Sequence, residues 1–164
     1  MKFIKKIIVA VLTWEARLIL KKYKPAIVAV TGSVGKTSAK EAIFAVLSGK
    51  FSVWRSEKSF NSELGVPLAI IGAPNAWYSP FKWVLNLWRG FKLAFFGGEY
   101  PKVLILEIGA DRPGDIRALT RYVTSDIAVV TAIGEVPVHV EFFAGPEDVA
   151  KEKAALVEAL GVDG

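Results

Sequence analysis

Ala26-Ile27-Val28-Ala29-Val30-Thr31-Gly32-Ser33-Val34-Gly35-Lys36-Thr37-Ser38 decides the fold, because an apolar, β-branched run breaks off at a glycine turn carrying a lysine and two hydroxyls. Residues 26–31 read as a strand and those from Lys36 as a helix, so the glycines fall in a strand-to-helix turn. This is the composition of a phosphate-binding loop. Gly32 and Gly35 let the backbone bend and approach an anion, so that N–H groups along Gly32, Ser33, Val34, Gly35, Lys36, Thr37 and Ser38 can point at its oxygens. The helix start adds partial positive charge. Lys36 can then reach the β- and γ-phosphates of a nucleotide such as ATP, while the Thr37 hydroxyl completes the shell of a bound Mg²⁺. The spacing departs from G-x-x-x-x-G-K-[ST], since Val30 stands five before Gly35. The bland alternative is an ordinary strand-to-helix turn that contains Gly-Lys-Thr.

Around this loop, 164 residues with 52% hydrophobic and 23% charged content suit one domain with a packed core. Cysteine is absent, which removes disulfides and thiolate metal sites. The net charge of +5 is uneven: residues 1–24 hold seven Lys or Arg against Glu15, a net +6, and the remainder sums to −1. The positive total therefore describes a basic leader and gives no support to nucleic-acid binding by the globular part.

That leader places Phe3, Ile4, Ile7, Ile8, Val11, Leu12, Leu18 and Ile19 at helical spacing. Its apolar run is too short to span a bilayer, and no small-x-small cleavage site follows. The pattern predicts an amphipathic helix on an anionic membrane surface, with packing against the domain or a partner as the alternative. Downstream, a helix is expected from Lys36 to about Ser48, and a short strand around Phe51–Trp54. Residues 56–67 read as a polar loop, and Leu68–Ile71 as a short helix or strand. Residues 76–97 mix Trp77, Tyr78, Phe81, Trp83, Trp88, Phe91, Phe95 and Phe96 with Lys82, Arg89 and Lys92, which suits a membrane interface or a buried hydrophobic hairpin.

Lys102–Glu107 reads as an apolar strand ending in a carboxylate, where a parallel sheet opens onto its ligand crevice. Glu107 is therefore placed to bind Mg²⁺. A helix from Gly114 to about Val123, a buried strand over Asp126–Thr131 and a last helix from Pro146 to about Leu160 complete the series. The loop between the last two carries His139, the only histidine. The final turn would deliver another strand, so the domain is expected to break off in mid-sheet.

Taken together, these motifs resemble the ATP-dependent Mur ligases of peptidoglycan synthesis, most of all the branch that adds D-alanyl-D-alanine to UDP-N-acetylmuramoyl-tripeptide. The resemblance rests on Thr31–Ser38 with Lys40-Glu41, Asn61 with Leu64–Pro67, and Leu106–Ala110 with Gly114–Ile116. It continues through Val130-Thr131, His139–Glu141, and Glu147–Ala150 with Lys153. It implies an α/β, P-loop NTPase-like, mostly parallel sheet flanked by helices. Residues 25–164 would be part of a central ATP-binding domain, with an aromatic insert at about 76–97, preceded by the helix of residues 1–24.

The resemblance further implies that Lys36 and the loop hold ATP and that Thr37 binds one Mg²⁺. Glu107, His139 and a carbamylated Lys153 would bind a second. Lys36, Lys153 and His139 would be the catalytic set, with Ser59 and Asn61 on the muramoyl substrate. The family's fuller asparagine-rich loop is only partly present, since serines stand at 59 and 62. The implied reaction is amide formation through an acyl phosphate, in the cytoplasm or at the inner face of the membrane. A non-catalytic, membrane-associated nucleotide-binding or scaffold module is the alternative. The 164 residues alone are not expected to be a competent ligase.

Overall fold

The computed structural model describes residues 2–56, 63–76, 79–133 and 142–161. Four strands, β1 (Ala26–Thr31), β2 (Val53–Arg55), β3 (Val103–Glu107) and β4 (Ile127–Val130), form one parallel sheet in the order β2-β3-β1-β4. The register sets Val30 beside Glu107 and Thr31 beside Val130. The loops leaving β1, β3 and β4 therefore share one end of the sheet, where such folds bind ligands.

Side chains alternate along β1, and both of its faces are covered. Val28 and Val30 join Val103 and Ile105 beneath Ala39, Ile43, Phe44 and Leu47 of α2 (Lys36–Leu47). Ile27 and Ala29, with Leu104 and Leu106, face a larger core. That core draws on α1 (Lys2–Tyr23), α3 (Gly65–Ile71), α5 (Asp115–Thr120) and α6 (Pro146–Glu158). All seven residues of α3 are buried, because it packs against both α1 and β3. The ambiguous run Leu68–Ile71 is thus the second half of a helix.

One expectation needs correcting. The strand anticipated as buried over 126–131 is β4, an edge among the described residues, with Ile127 and Val130 exposed. The leader packs on the domain along one face, since Leu12, Ala16 and Ile19, at i, i+4 and i+7, are sealed in the main core. Its other face stays in solvent.

The described part of the aromatic insert is a helix rather than a hairpin. Ser79 Oγ accepts from Lys82 N at 3.4 Å and Pro80 opens α4 (Pro80–Phe91), which continues into a π turn at Lys92–Phe96. Lys22 Nζ donates to the Leu93 and Ala94 carbonyls at 3.1 and 3.0 Å, and the Tyr23 hydroxyl donates to Leu93 at 3.1 Å. Gly90 allows α1 and α4 to meet closely, because a Cβ there would lie 2.1 Å from Glu15 Oε2. Among the described residues, no helix is long and apolar enough to cross a membrane.

Candidate functional site

The loop between β1 and α2 has the backbone that its glycines suggested. Gly32 has φ +146° and Gly35, which caps α2, has φ +87°. At Gly32 there is also no room, since a Cβ would come 1.8 Å from Thr131 Oγ1. That hydroxyl, just beyond β4, sits 2.7 Å from the Val34 carbonyl and 3.1 Å from that of Thr31. Ser33 N and Val34 N donate to the Ala132 carbonyl at 2.8 and 3.3 Å. The chain leaving β4 thus holds the loop from the side.

Lys36 folds over the loop, donating from Nζ to the Gly32 carbonyl at 2.8 Å and to that of Ser33 at 3.4 Å. Ser33 is half-buried, while Val34, Thr37 and Ser38 face solvent. Thr37 Oγ1 donates to Glu107 Oε2 at 3.1 Å, a contact that follows from the pairing of Val30 with Glu107. One turn further along α2, Lys40 Nζ lies 3.3 Å from the same oxygen and donates to the Ser56 carbonyl at 2.9 Å. Lys40 and Glu107 are 0% and 2% exposed, so this is a buried ion pair. Ser56 Oγ accepts from Glu107 N at 3.3 Å and fixes the strand end beneath it.

Lys153 arrives from α6. It is buried, and burial, followed by repulsion from the Lys36 ammonium, holds its amine below the ordinary lysine range, with the Glu152 carboxylate opposing. Glu152 ties α6 to the loop after β3: its two oxygens accept from Gly114 N and Ile116 N, both at 2.7 Å, satisfying amides at the start of α5. Lys153 is therefore buried within electrostatic reach of Lys36 rather than solvated on a helix surface.

His139, Ser59 and Asn61 lie outside the described residues. Among the described residues no group of three or more His, Cys, Asp or Glu could hold a metal ion. Sequence reasoning quoted Lys40 and Thr131 in the resemblance without giving them a role in the site, and did not single out Ser56 or Glu152. Lys40 could have been found: it stands four after Lys36 and shares a helix face with Ile43, Phe44 and Leu47, an unusual place for a charge without a partner. The role of Thr131 has no local signal, because it depends on the neighbouring strand.

Residues 91–164 match the family description "Mur ligase middle domain". Over that stretch the chain is similar to a Mur ligase middle domain. It is 29% identical over 149 residues to the UDP-N-acetylmuramoyl-tripeptide–D-alanyl-D-alanine ligase of Bacillus subtilis, covering 91% of this chain and 27% of that protein. To the ligase of the same name from Mycobacterium leprae it is 32% identical over 134 residues, covering 82% and 21%. The crystal structure of the MurF ligase of Thermotoga maritima in complex with ADP matches with a TM-score of 0.70 and 30% identity, over 93% of this chain and 30% of that one. MurF of Acinetobacter baumannii, at 21% identity and the same TM-score, agrees in fold. The chain spans about a quarter of the length of the curated relatives it matches.

Proposed function

We propose that the protein binds ATP through Gly32–Ser38 and serves the amide-forming ligation of D-alanyl-D-alanine to UDP-N-acetylmuramoyl-tripeptide in the cytoplasm. The observation that carries this reading is the convergence of Lys36, Thr37 and Glu107 at one end of the sheet. The named relatives support it, as does the ADP bound by the Thermotoga ligase.

In this reading the loop amides and Lys36 hold the phosphates and orient the γ-phosphoryl group. The tripeptide carboxylate attacks phosphorus and ADP leaves, giving an acyl phosphate; the dipeptide amine then attacks the acyl carbon, loses a proton and expels phosphate. Placement and charge neutralisation supply most of the acceleration.

The donor set fits Mg²⁺. Thr37 Oγ1 and Glu107 Oε2, 3.1 Å apart, are hard oxygen donors of the kind Mg²⁺ takes, Thr37 toward one ion and Glu107 toward a second. Bound there, Mg²⁺ would neutralise charge on the phosphoryl oxygens. Lys40 restrains the Glu107 carboxylate at the same oxygen. His139 is the proposed further ligand, with Ser59 and Asn61 toward the muramoyl substrate. Lys153, pushed toward its neutral amine, is suited to add CO₂ with release of a proton. The resulting carbamate would replace a charge that repels Lys36 with oxygens that attract both Lys36 and a metal.

The test uses the protein as its reading frame encodes it. ATP-dependent phosphate release should require both the muramoyl tripeptide and D-alanyl-D-alanine, and Lys36→Ala should lower it at least about a hundredfold. Unchanged amide formation in that variant would sink the assignment.

A further inference from the structure

The outer side of α1 and α4 is not used by the candidate site. Trp88, Phe91 and Phe95 form a continuous run of rings, with centroids 5.8 and 4.6 Å apart. Trp14 of α1 stands 5.8 Å from Phe95, and Phe96 lies 6.0 Å from Phe91. These rings are open to solvent, Trp88 by 59%, Phe95 by 51%, Trp14 by 49% and Phe96 by 74%. Helical spacing extends the surface in both directions: Phe81 and Leu85 continue the stripe of Trp88, and Phe3 and Ile7 that of Trp14, all exposed. Two helices thus present one apolar face, of the kind that marks a contact surface.

The charges around it select the occupant. Lys82 and Lys92 border the rings on α4 and its π turn, and Lys6 and Lys21 border them on α1, all exposed. Residues 79–98 contain no Asp or Glu. The only acid of α1, Glu15, is buried on the other side against Gly90. A second copy docking through this face would bring lysines toward lysines. Aromatic rings flanked by long, flexible cations and free of acids match a lipid interface, where rings settle at the headgroup level and ammonium groups reach phosphates.

We propose that α1, α4 and the π turn dock this protein on an anionic lipid bilayer, with the rings in the interface and Lys6, Lys21, Lys82 and Lys92 on the headgroups. The docking is peripheral and independent of the proposed ligation, since none of its residues touches the phosphate loop.

Vesicle flotation of the protein as its reading frame encodes it tests the proposal. Binding to phosphatidylcholine vesicles containing about 30 mol % phosphatidylglycerol should exceed binding to pure phosphatidylcholine at least about tenfold, and should weaken in about 0.5 M salt. Trp88→Ser with Phe95→Ser should abolish it while circular dichroism and melting temperature stay unchanged, because both side chains are exposed. Lys82→Gln with Lys92→Gln should keep the fold and remove most of the preference for the anionic lipid. Brominated acyl chains should quench tryptophan fluorescence in the parent, and less in Trp88→Phe. Equal flotation of parent and ring variant, or no flotation, overturns the proposal. So does concentration-dependent self-association that the ring variant abolishes without any vesicle binding, which would assign the face to a second copy.

Discussion

Lys40 holds a full side chain at 0% exposure between the Glu107 carboxylate and the Ser56 carbonyl. Removing one member of such a pair leaves a buried charge without its partner, so Lys40→Met should cost about 3–5 kcal/mol in chemical denaturation. Lys40→Met with Glu107→Leu should recover a good part of that loss. Glu15 makes the opposite kind of statement. Its buried Oε2 has no hydrogen-bond partner, and desolvation raises its carboxyl from 4.5 to about 7. The native state therefore keeps this proton to higher pH than the unfolded chain. The group's favourable contribution is complete below about 4.5, declines as pH rises, and is lost above about 7. Glu15→Gln should flatten that slope and stabilise the protein at pH 8 by on the order of 1–3 kcal/mol. Thermal melts at pH 5 and pH 8 measure both effects.

At the scale of elements, α1 is the case where pattern and packing diverge. Its apolar spacing announced a helix but left open what it covers, since a helix with two apolar sides reads alike whether one side meets a membrane or a neighbouring helix. The structure assigns Leu12, Ala16 and Ile19 to the interior, over an α3 that carries no charged residue. Leu12→Ala should therefore cost about 2–4 kcal/mol, and deletion of residues 1–23 should leave no cooperative unfolding transition. By contrast, β1, α2, β3 and α6 were legible from local signals: a β-branched run, a glycine turn, a terminal carboxylate, a proline start. The part of Lys153 in the site was suggested only by resemblance. Nothing within α6 itself says that Glu152 will cap another helix and fix its neighbour's place.

For the molecule as a whole, the sheet has unequal flanks. Where β2 ends one side, β4 ends the other among the described residues, with Ile127 54% and Val130 40% exposed. An apolar edge strand of this kind invites pairing with another chain. Ile127→Lys should reduce concentration-dependent light scattering of the 164-residue chain, while its stability changes by no more than about 0.5 kcal/mol. Strand order and register lay beyond sequence reading, because they depend on which β-branched runs pair and not on what each run contains.

The grip of Thr131 and Ala132 on the loop at Thr31–Val34 joins points about a hundred residues apart in the chain. During synthesis the glycine turn leaves the ribosome long before the segment that shapes it. The quoted stretch can form its strand and its helix early, yet its loop acquires the contour held by Thr131 and Ala132 only after β4 has been made. On the proposed function a nucleotide could not act as an early template for folding this domain, and its binding would report that β1 to β4 are already assembled.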